Sequence, residues 1–275
     1  MPKILIRQIF YDWSTRRKVL PGLIPFDNSQ SKRPDWFELW PILQFLNHQE
    51  LEDECWYGFF SPRFIDKTLL SSKQVIDFIT RNGEGKNVAL FSPVWDQLAY
   101  FKNPWEQGEL WHPGITALTQ RFLDDTQRLA AVDTLITDSK SSVFSNYVVA
   151  KKDYWTEWRS IAQDFFDYVE AAGPHSEFSA TTAYGDQVGY PMKTFIQERL
   201  SSLLLATQNY KVITPNNSLS APIFAPLFED TDDTRQQLQV CDLMKSRYRT
   251  SADRQYLEMY WKIRAGIHFT GKTAS

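Results

Sequence analysis

Only two cysteines occur in the 275 residues, Cys55 and Cys241, far apart and without the short spacings of a metal site. A disulfide framework is not supported, and a reduced cytoplasmic compartment fits best, a single disulfide being the alternative. Histidine is scarce: His48, His112, His175 and His268 are scattered, so a His-rich zinc site would need long-range assembly. No Gly-x-Gly-x-x-Gly follows a strand and no Gly-Lys-Ser/Thr turn exists, which argues against dinucleotide-binding oxidoreductases and P-loop enzymes. A Gly-x-Ser-x-Gly elbow is also missing, which disfavours a serine hydrolase. Net charge is only −3, so bulk electrostatics point to no nucleic-acid partner. The apolar run at the start of the chain is broken by Arg7 and is too short for a signal peptide, and no window reaches membrane-spanning length. The expectation is a soluble, cytoplasmic protein, with peripheral contact at the inner membrane or with other assembly enzymes left open.

Aromatic residues, by contrast, are abundant: 15% of the chain, with 10 tryptophans. The densest stretch runs from Trp105 to Gly114, Trp-Glu-Gln-Gly-Glu-Leu-Trp-His-Pro-Gly. Two indoles, two acids, an amide and an imidazole follow an apolar run, Val88 to Phe91, that reads as a buried strand. Such groups make sense against a ligand, and indoles mixed with carboxylates and amides suit a carbohydrate: the ring stacks on a sugar's C–H face and the polar groups bond its hydroxyls. The ordinary reading, aromatics filling the core, has equal weight for any single tryptophan.

Apolar periodicity predicts strands at Lys3 to Phe10, Cys55 to Phe60, Val88 to Phe91, Val132 to Ile136, Val143 to Ala150 and Tyr210 to Thr214. Thr15 to Pro34 reads as loop. Asp35 and Glu38 form a capping-box pattern before a helix carrying Trp36, Leu39, Trp40, Leu43 and Leu46, which Pro41 is expected to kink. Further helices are expected from Ser71 to Gly83, Ile115 to Leu129, Asp153 to Gly173, Met192 to Ala206, Thr234 to Tyr248 and Ser251 to Ile267. Strands alternating with helices predict an α/β fold on a mostly parallel sheet. The domain reading is one catalytic body over 1–228, with 229–275 as its helical C-terminal extension.

In open α/β sheets, ligands bind beyond the carboxyl ends of the strands. Asp27-Asn28, Ser61-Pro62-Arg63, Ser92 with Trp95-Asp96-Gln97, and the polar patch Asp138 to Asn146 all fall beside expected strands. Each alone is an ordinary turn; together they suggest a site.

The order of motifs resembles GT-A-type glycosyltransferases of bacterial surface-polysaccharide clusters. The resemblance is carried by Asp27-Asn28-Ser29 before an aromatic helix, by Trp56-Tyr57-Gly58-Phe59-Phe60-Ser61-Pro62-Arg63-Phe64, by Val143 to Lys151 with Tyr154-Trp155, and by Phe195-Ile196-Gln197-Glu198-Arg199-Leu200. It spans residues 3 to 214. It implies a GT-A-like, Rossmann-like sheet flanked by helices, and transfer of a sugar from a nucleotide-sugar donor to a glycan acceptor in polysaccharide or lipopolysaccharide (O-antigen, capsule) synthesis. Two departures stand out: the Ser61–Arg63 loop lacks the family's His and second Arg, and no Asp-x-Asp follows a buried strand.

A departing nucleoside diphosphate needs its charge neutralised. Without paired carboxylates for a divalent metal, cations of the chain would take that role, and no metal or other cofactor is expected. The donor residues are accordingly Asp27, Asn28, Arg63, Ser92, Lys193 and Arg199. Asp96 and Asp138 are the preferred bases among Asp96, Glu106, Glu109, Asp138 and Glu198. Trp95, Gln97, Trp105, Glu106, Gln107, Trp111, His112, Asn146 and Glu198 are assigned to the sugar and acceptor. The rival reading is a catalytically silent carbohydrate-binding or assembly protein on the same fold; a glycoside hydrolase is disfavoured because Glu106 and Glu109 are too close in sequence to flank a bond.

Overall fold

The computed structural model describes residues 2–184, 187–219, 221–224 and 227–270. The chain forms two compact units. One comprises Met1–Pro93, Ser145–Pro174 and Gln208–Pro215; the other comprises Val94–Phe144, His175–Thr207 and Asn216–Ser275. In chain order the elements are β1 (Ile4–Phe10), α1 (Trp13–Arg16), β2 (Ile24–Asp27), α2 (Leu39–His48), β3 (Trp56–Phe60), α3 (Phe64–Thr68), α4 (Ser72–Asn82) and β4 (Val88–Leu90). Then come α5 (Trp95–Tyr100), α6 (Pro104–Glu109), α7 (Ile115–Asp125), β5 (Val148–Ala150), α8 (Lys152–Ala172), β6 (Thr181–Tyr184) and β7 (Gln187–Pro191). The last are α9 (Met192–Gln197), α10 (Leu200–Thr207), β8 (Val212–Ile213), α11 (Asp232–Ser251) and α12 (Arg254–Gly266).

The first unit is an α/β layer structure around a mixed sheet of order β2-β1-β3-β5-β4-β8. Every pairing is parallel except those of β5, which runs antiparallel to both β3 and β4. Successive residues of β3 point to opposite faces, as strand geometry requires. Trp56 and Phe60 join Ile6, Ala89, Phe91 and Val149 under α3 and α4, which contribute Phe64, Val75 and Ile79. Tyr57 and Phe59 face α2 and α8: the Phe59 ring lies 5.3 Å from Phe45 and 5.0 Å from Trp155, whose indole N–H donates to the Tyr57 carbonyl at 3.0 Å. Both layers are rich in aromatic side chains. Full burial of one such ring contributes about 1.5–3 kcal/mol.

Local chemistry explains where the elements begin and end. Ser71 and Gln74 form a capping box at the start of the expected helix α4, and Gly83 ends it. The Asp35–Glu38 box does not form: Asp35 binds Arg33, and residues Pro34–Trp36 make a 3₁₀ turn. Pro41 falls in the first turn of α2, where a missing N–H costs nothing, so it starts the helix instead of kinking it. The segment read as loop from Thr15 contains β2, an edge strand that tolerates Pro25 because its outer side needs no ladder bond.

The second unit is mainly helical and includes the C-terminal pair α11 and α12. Trp95, Tyr100, Phe101, Phe228, Leu238, Met244 and Tyr260 form its buried centre. The expected strand Val132 to Ile136 is absent, because side chains take its backbone groups: Asn103 donates to the carbonyls of Val132 and Leu135, and Gln120 accepts the Val132 N–H. The helix expected over Met192 to Ala206 breaks into α9 and α10 at Glu198–Arg199, where the Arg199 N–H bonds Ile196 in a tighter turn. The β6–β7 hairpin was not anticipated from the sequence pattern. Lys245 is fully buried and donates to the carbonyls of Leu98 and Phe101, closing the end of α5; burial lowers its pKa to about 8. Both cysteines are free and buried.

Gly58 sits between Ile6 and Val149 in the middle of the sheet. A Cβ there would lie 2.9 Å from a Val149 methyl and 3.3 Å from Ile6. Gly58→Val is therefore expected to destabilise by about 1–3 kcal/mol through overpacking, read as a lower melting temperature by circular dichroism with an unchanged fold class.

Candidate functional site

The parallel strands β1, β2, β3 and β4 end on one edge of the sheet, and antiparallel β5 begins there. Five of the residues singled out from the sequence lie on this carboxyl edge: Asp27, Asn28, Arg63, Ser92 and Asn146. The edge is built by cross-strand polar contacts. Buried Gln8 accepts the Leu20 N–H at 2.8 Å and donates to the Ser61 carbonyl. Ser61 and Tyr147 share a hydroxyl contact of 2.9 Å, and Lys67 donates to Ser145. Asn146, at φ 34°, makes the turn into β5 in the left-handed region that Asn tolerates better than most residues.

Beyond β1 and β2 the edge opens into a hollow of about 320 Å³ lined by Phe10, Asp12, Trp13, Arg16 and Ser29. Asp12 caps α1 through the Thr15 N–H, which with Ser14 and the Thr15 hydroxyl lowers its pKa to about 2. Asp27 accepts the Ser29 N–H at 2.8 Å, and this bond, together with the charge of Arg16, holds its carboxyl below the usual range. The Asn28 N–H bonds the last carbonyl of β1, Phe10, at 2.9 Å. Its side chain is 8% exposed, yet its Nδ2 has no hydrogen-bond partner. A buried amide left without a partner is uncommon. Trp13 is 73% exposed. Arg63 is exposed; its backbone N–H donates to the Ser61 hydroxyl and its carbonyl accepts the Lys67 N–H.

Trp13 and Arg16 were not singled out from the sequence: Trp13 falls between the first expected strand and the segment read as loop, and Arg16 falls at the start of that segment. The available signal was the run Arg16-Arg17-Lys18 directly after the first strand, opened by a capping Asp12 and Thr15.

A larger hollow of about 550 Å³ lies at the opposite, amino edge, lined by Asp53, Glu54, Asn87, Lys151, Lys152 and Asp153 among others. Both of its lysines are taken up by acids, Lys151 by Glu54 at 2.5 Å and Lys152 by Asp53 at 2.8 Å, and Asn87 donates to Asp153 at 2.7 Å. With four acids against two lysines, that groove suits an anionic ligand less than the smaller hollow does, despite its size.

The other singled-out residues belong to the second unit. The Trp105–Gly114 stretch satisfies itself there. Trp105 is buried and donates to Thr119. Glu106 accepts the Lys102 N–H and pairs with Arg264 at 2.9 Å; Glu109 accepts the N–H groups of Gly114 and Thr116 at the start of α7. Gln107 links Gln97 to Arg199. His112 stacks on Phe195 with ring centroids 3.4 Å apart, and burial beside Arg199 pushes its pKa down to about 3, so it is neutral at physiological pH. Among these indoles Trp111 keeps an exposed face, at 41%. Trp95 is buried, donates to the Ala221 carbonyl and lies under Arg235.

Arg199 is buried and donates to the carbonyls of Pro104 and Phe195 and to Gln107, each at 2.8–2.9 Å. Burial lowers its pKa to about 10, so it stays charged at neutral pH. Gly108 makes room for it: a Cβ there would sit 2.9 Å from an Arg199 nitrogen. Lys193 is buried as well, and Glu198 caps the end of α9. Asp138 is buried against Arg249 at 2.6 Å; burial alone would raise its pKa, but Arg249 and Ser141 hold it below the usual range. Asp96 is fully buried, accepts the Phe224 N–H at 2.7 Å through Oδ2 and has no partner on Oδ1. Burial raises its pKa. Among the described residues, no group of three or more His, Cys, Asp or Glu is placed to hold a metal ion, and no helix is long and apolar enough to cross a membrane.

Two stability effects follow. Arg199→Ala leaves three buried acceptors without their donor and is expected to cost about 3–5 kcal/mol, seen as a lower denaturant midpoint. Asp96 has a folded-state pKa above its unfolded value, so its contribution is most favourable below the ordinary carboxylate range and is lost as pH rises through the raised value. Asp96→Asn keeps an acceptor for Phe224 and removes the buried charge. It should melt above the parent at pH 7.5, with the difference shrinking towards pH 4; an unchanged gap across pH would contradict this account. No protein-family model, curated protein or solved structure matches this chain.

Proposed function

We propose that this chain is a glycosyltransferase whose nucleotide-sugar donor binds at the carboxyl edge of the mixed sheet, in the hollow beside β1 and β2, for transfer to a glycan acceptor of a surface polysaccharide. The observation that carries the reading is Asn28, a buried amide with an unpartnered Nδ2, next in sequence to Asp27 and to Ser29, which lines the hollow together with Arg16. Its amide would donate to an acceptor on the base or ribose, Asp27 would accept from an N–H or hydroxyl, and Arg16 with Arg63 would face the diphosphate. Two guanidiniums are suited to this because each presents several fixed donors to phosphate oxygens. In support, open α/β sheets bind ligands beyond the carboxyl ends of their strands, and β1, β2, β3 and β4 all end at this edge. A second reading, a nucleotide- or glycan-binding protein without transfer, is favoured by the burial of Asp96 and Asp138, the acids nominated as base.

Thermal-shift measurements on the full chain with a panel of nucleoside diphosphates test the donor half. A bound nucleotide at about a hundredfold excess over its dissociation constant adds about 2.7 kcal/mol, and Arg16→Ala and Asn28→Ala should each abolish most of the shift. If no nucleotide shifts the melt, or both variants respond like the parent, the donor site is elsewhere or absent. Release of nucleoside diphosphate from a nucleotide sugar then separates a transferase from a silent binder.

A further inference from the structure

A basic and apolar surface lies beside the candidate site, on two adjoining segments of the first unit. Lys18 pairs with Asp66 at 3.6 Å, and the Ser72 hydroxyl donates to the Pro21 carbonyl, so the stretch after α1 runs against α3 and the start of α4. Three large apolar side chains on these segments face water: Trp13 at 73%, Leu69 at 71% and Ile65 at 37% exposure. Arg17 and Lys18 are exposed on the first segment, and Asp66, the partner of Lys18, and Lys67 stand between the two aliphatic residues in sequence, so cations outnumber acids here.

Leu69 is the telling residue. It ends α3 in the left-handed conformation, φ 59° and ψ 14°, a position where glycine or asparagine is usual. Leucine is strained there, and its side chain, 71% exposed, gains little burial in return. An external apolar phase would account for that choice, and the neighbouring cations specify its sign. Tryptophan and aliphatic side chains flanked by lysine and arginine suit the boundary between acyl chains and anionic headgroups.

We propose that this surface docks the protein on an anionic phospholipid membrane, with Trp13, Ile65 and Leu69 entering the interfacial layer and Arg17 and Lys18 facing the headgroups. The proposal is independent of the donor assignment. It predicts membrane contact whether or not a nucleotide binds.

The test is co-sedimentation of the full chain with vesicles of phosphatidylcholine containing about one-third phosphatidylglycerol, against vesicles of phosphatidylcholine alone. The parent should pellet with the anionic vesicles only, and about 0.5 M sodium chloride should release it. Leu69→Asn should weaken binding about tenfold or more, as a lost apolar anchor requires, while melting at or above the parent temperature because asparagine suits the left-handed turn. Arg17→Glu combined with Lys18→Glu should abolish binding. Failure of the parent to pellet with anionic vesicles overturns the proposal, as does equal binding to neutral vesicles or parent-like binding by Leu69→Asn. Self-association through this face, detected by sedimentation velocity and removed by Leu69→Asn without any vesicle binding, would assign the surface to a second copy of the chain instead.

Discussion

The pairing of β5 between β3 and β4 is the constraint on which the first unit rests. Because β5 runs against both neighbours, its start lies where theirs end. Ser145, Asn146 and Tyr147 are thereby delivered to the same edge as Ser61 and Ser92, although some fifty to eighty residues separate them in the chain. Three residues of ladder suffice because β5 is buried on both sides and shares its bonds with two partners. The edge then gains its polar character from residues that must leave the sheet there, and burial on both faces leaves no other route for them.

The second unit obeys a different constraint: buried polar groups must find partners. Arg199, Lys245, Asp138 and Glu109 each saturate backbone groups or opposite charges that the short helices leave open. Short helices have proportionally many unpaired ends, so a unit built from them needs such side chains. The richness of the Trp105–Gly114 stretch therefore has a structural use that a ligand would otherwise have to supply.

The two hollows of the first unit illustrate why size alone says little about a site. The larger one carries four acids against two lysines that are already paired, whereas the smaller one sets the Arg16 guanidinium beside the Asp12 carboxylate at the ends of parallel strands. Placement beyond strand ends, where backbone groups and loop side chains converge, is the general reason that open α/β sheets bind there. The basic and apolar surface adjoining it shares residues of α1 with the hollow, so one short helix borders both features.

Much of the first unit was legible in the residues themselves. Alternation and β-branching marked β1, β3 and β4, a serine and a glycine marked the ends of α4, and polar residues after strands marked Asp27, Asn28 and Arg63 as edge residues. These signals are local, and local signals survive into the fold where the hydrophobic period agrees with it. The edge strand β2 with its proline, the loss of a strand at Val132 and the break before Leu200 were decided by tertiary contacts: a neighbouring strand, the side chain of Asn103 and the buried guanidinium of Arg199. The same holds for the site. Residue type alone nominated acids, indoles and cations across the whole chain, but burial and hydrogen-bond partners depend on residues up to 160 positions away. Only the assembled structure could separate polar groups consumed by packing from those left facing a hollow.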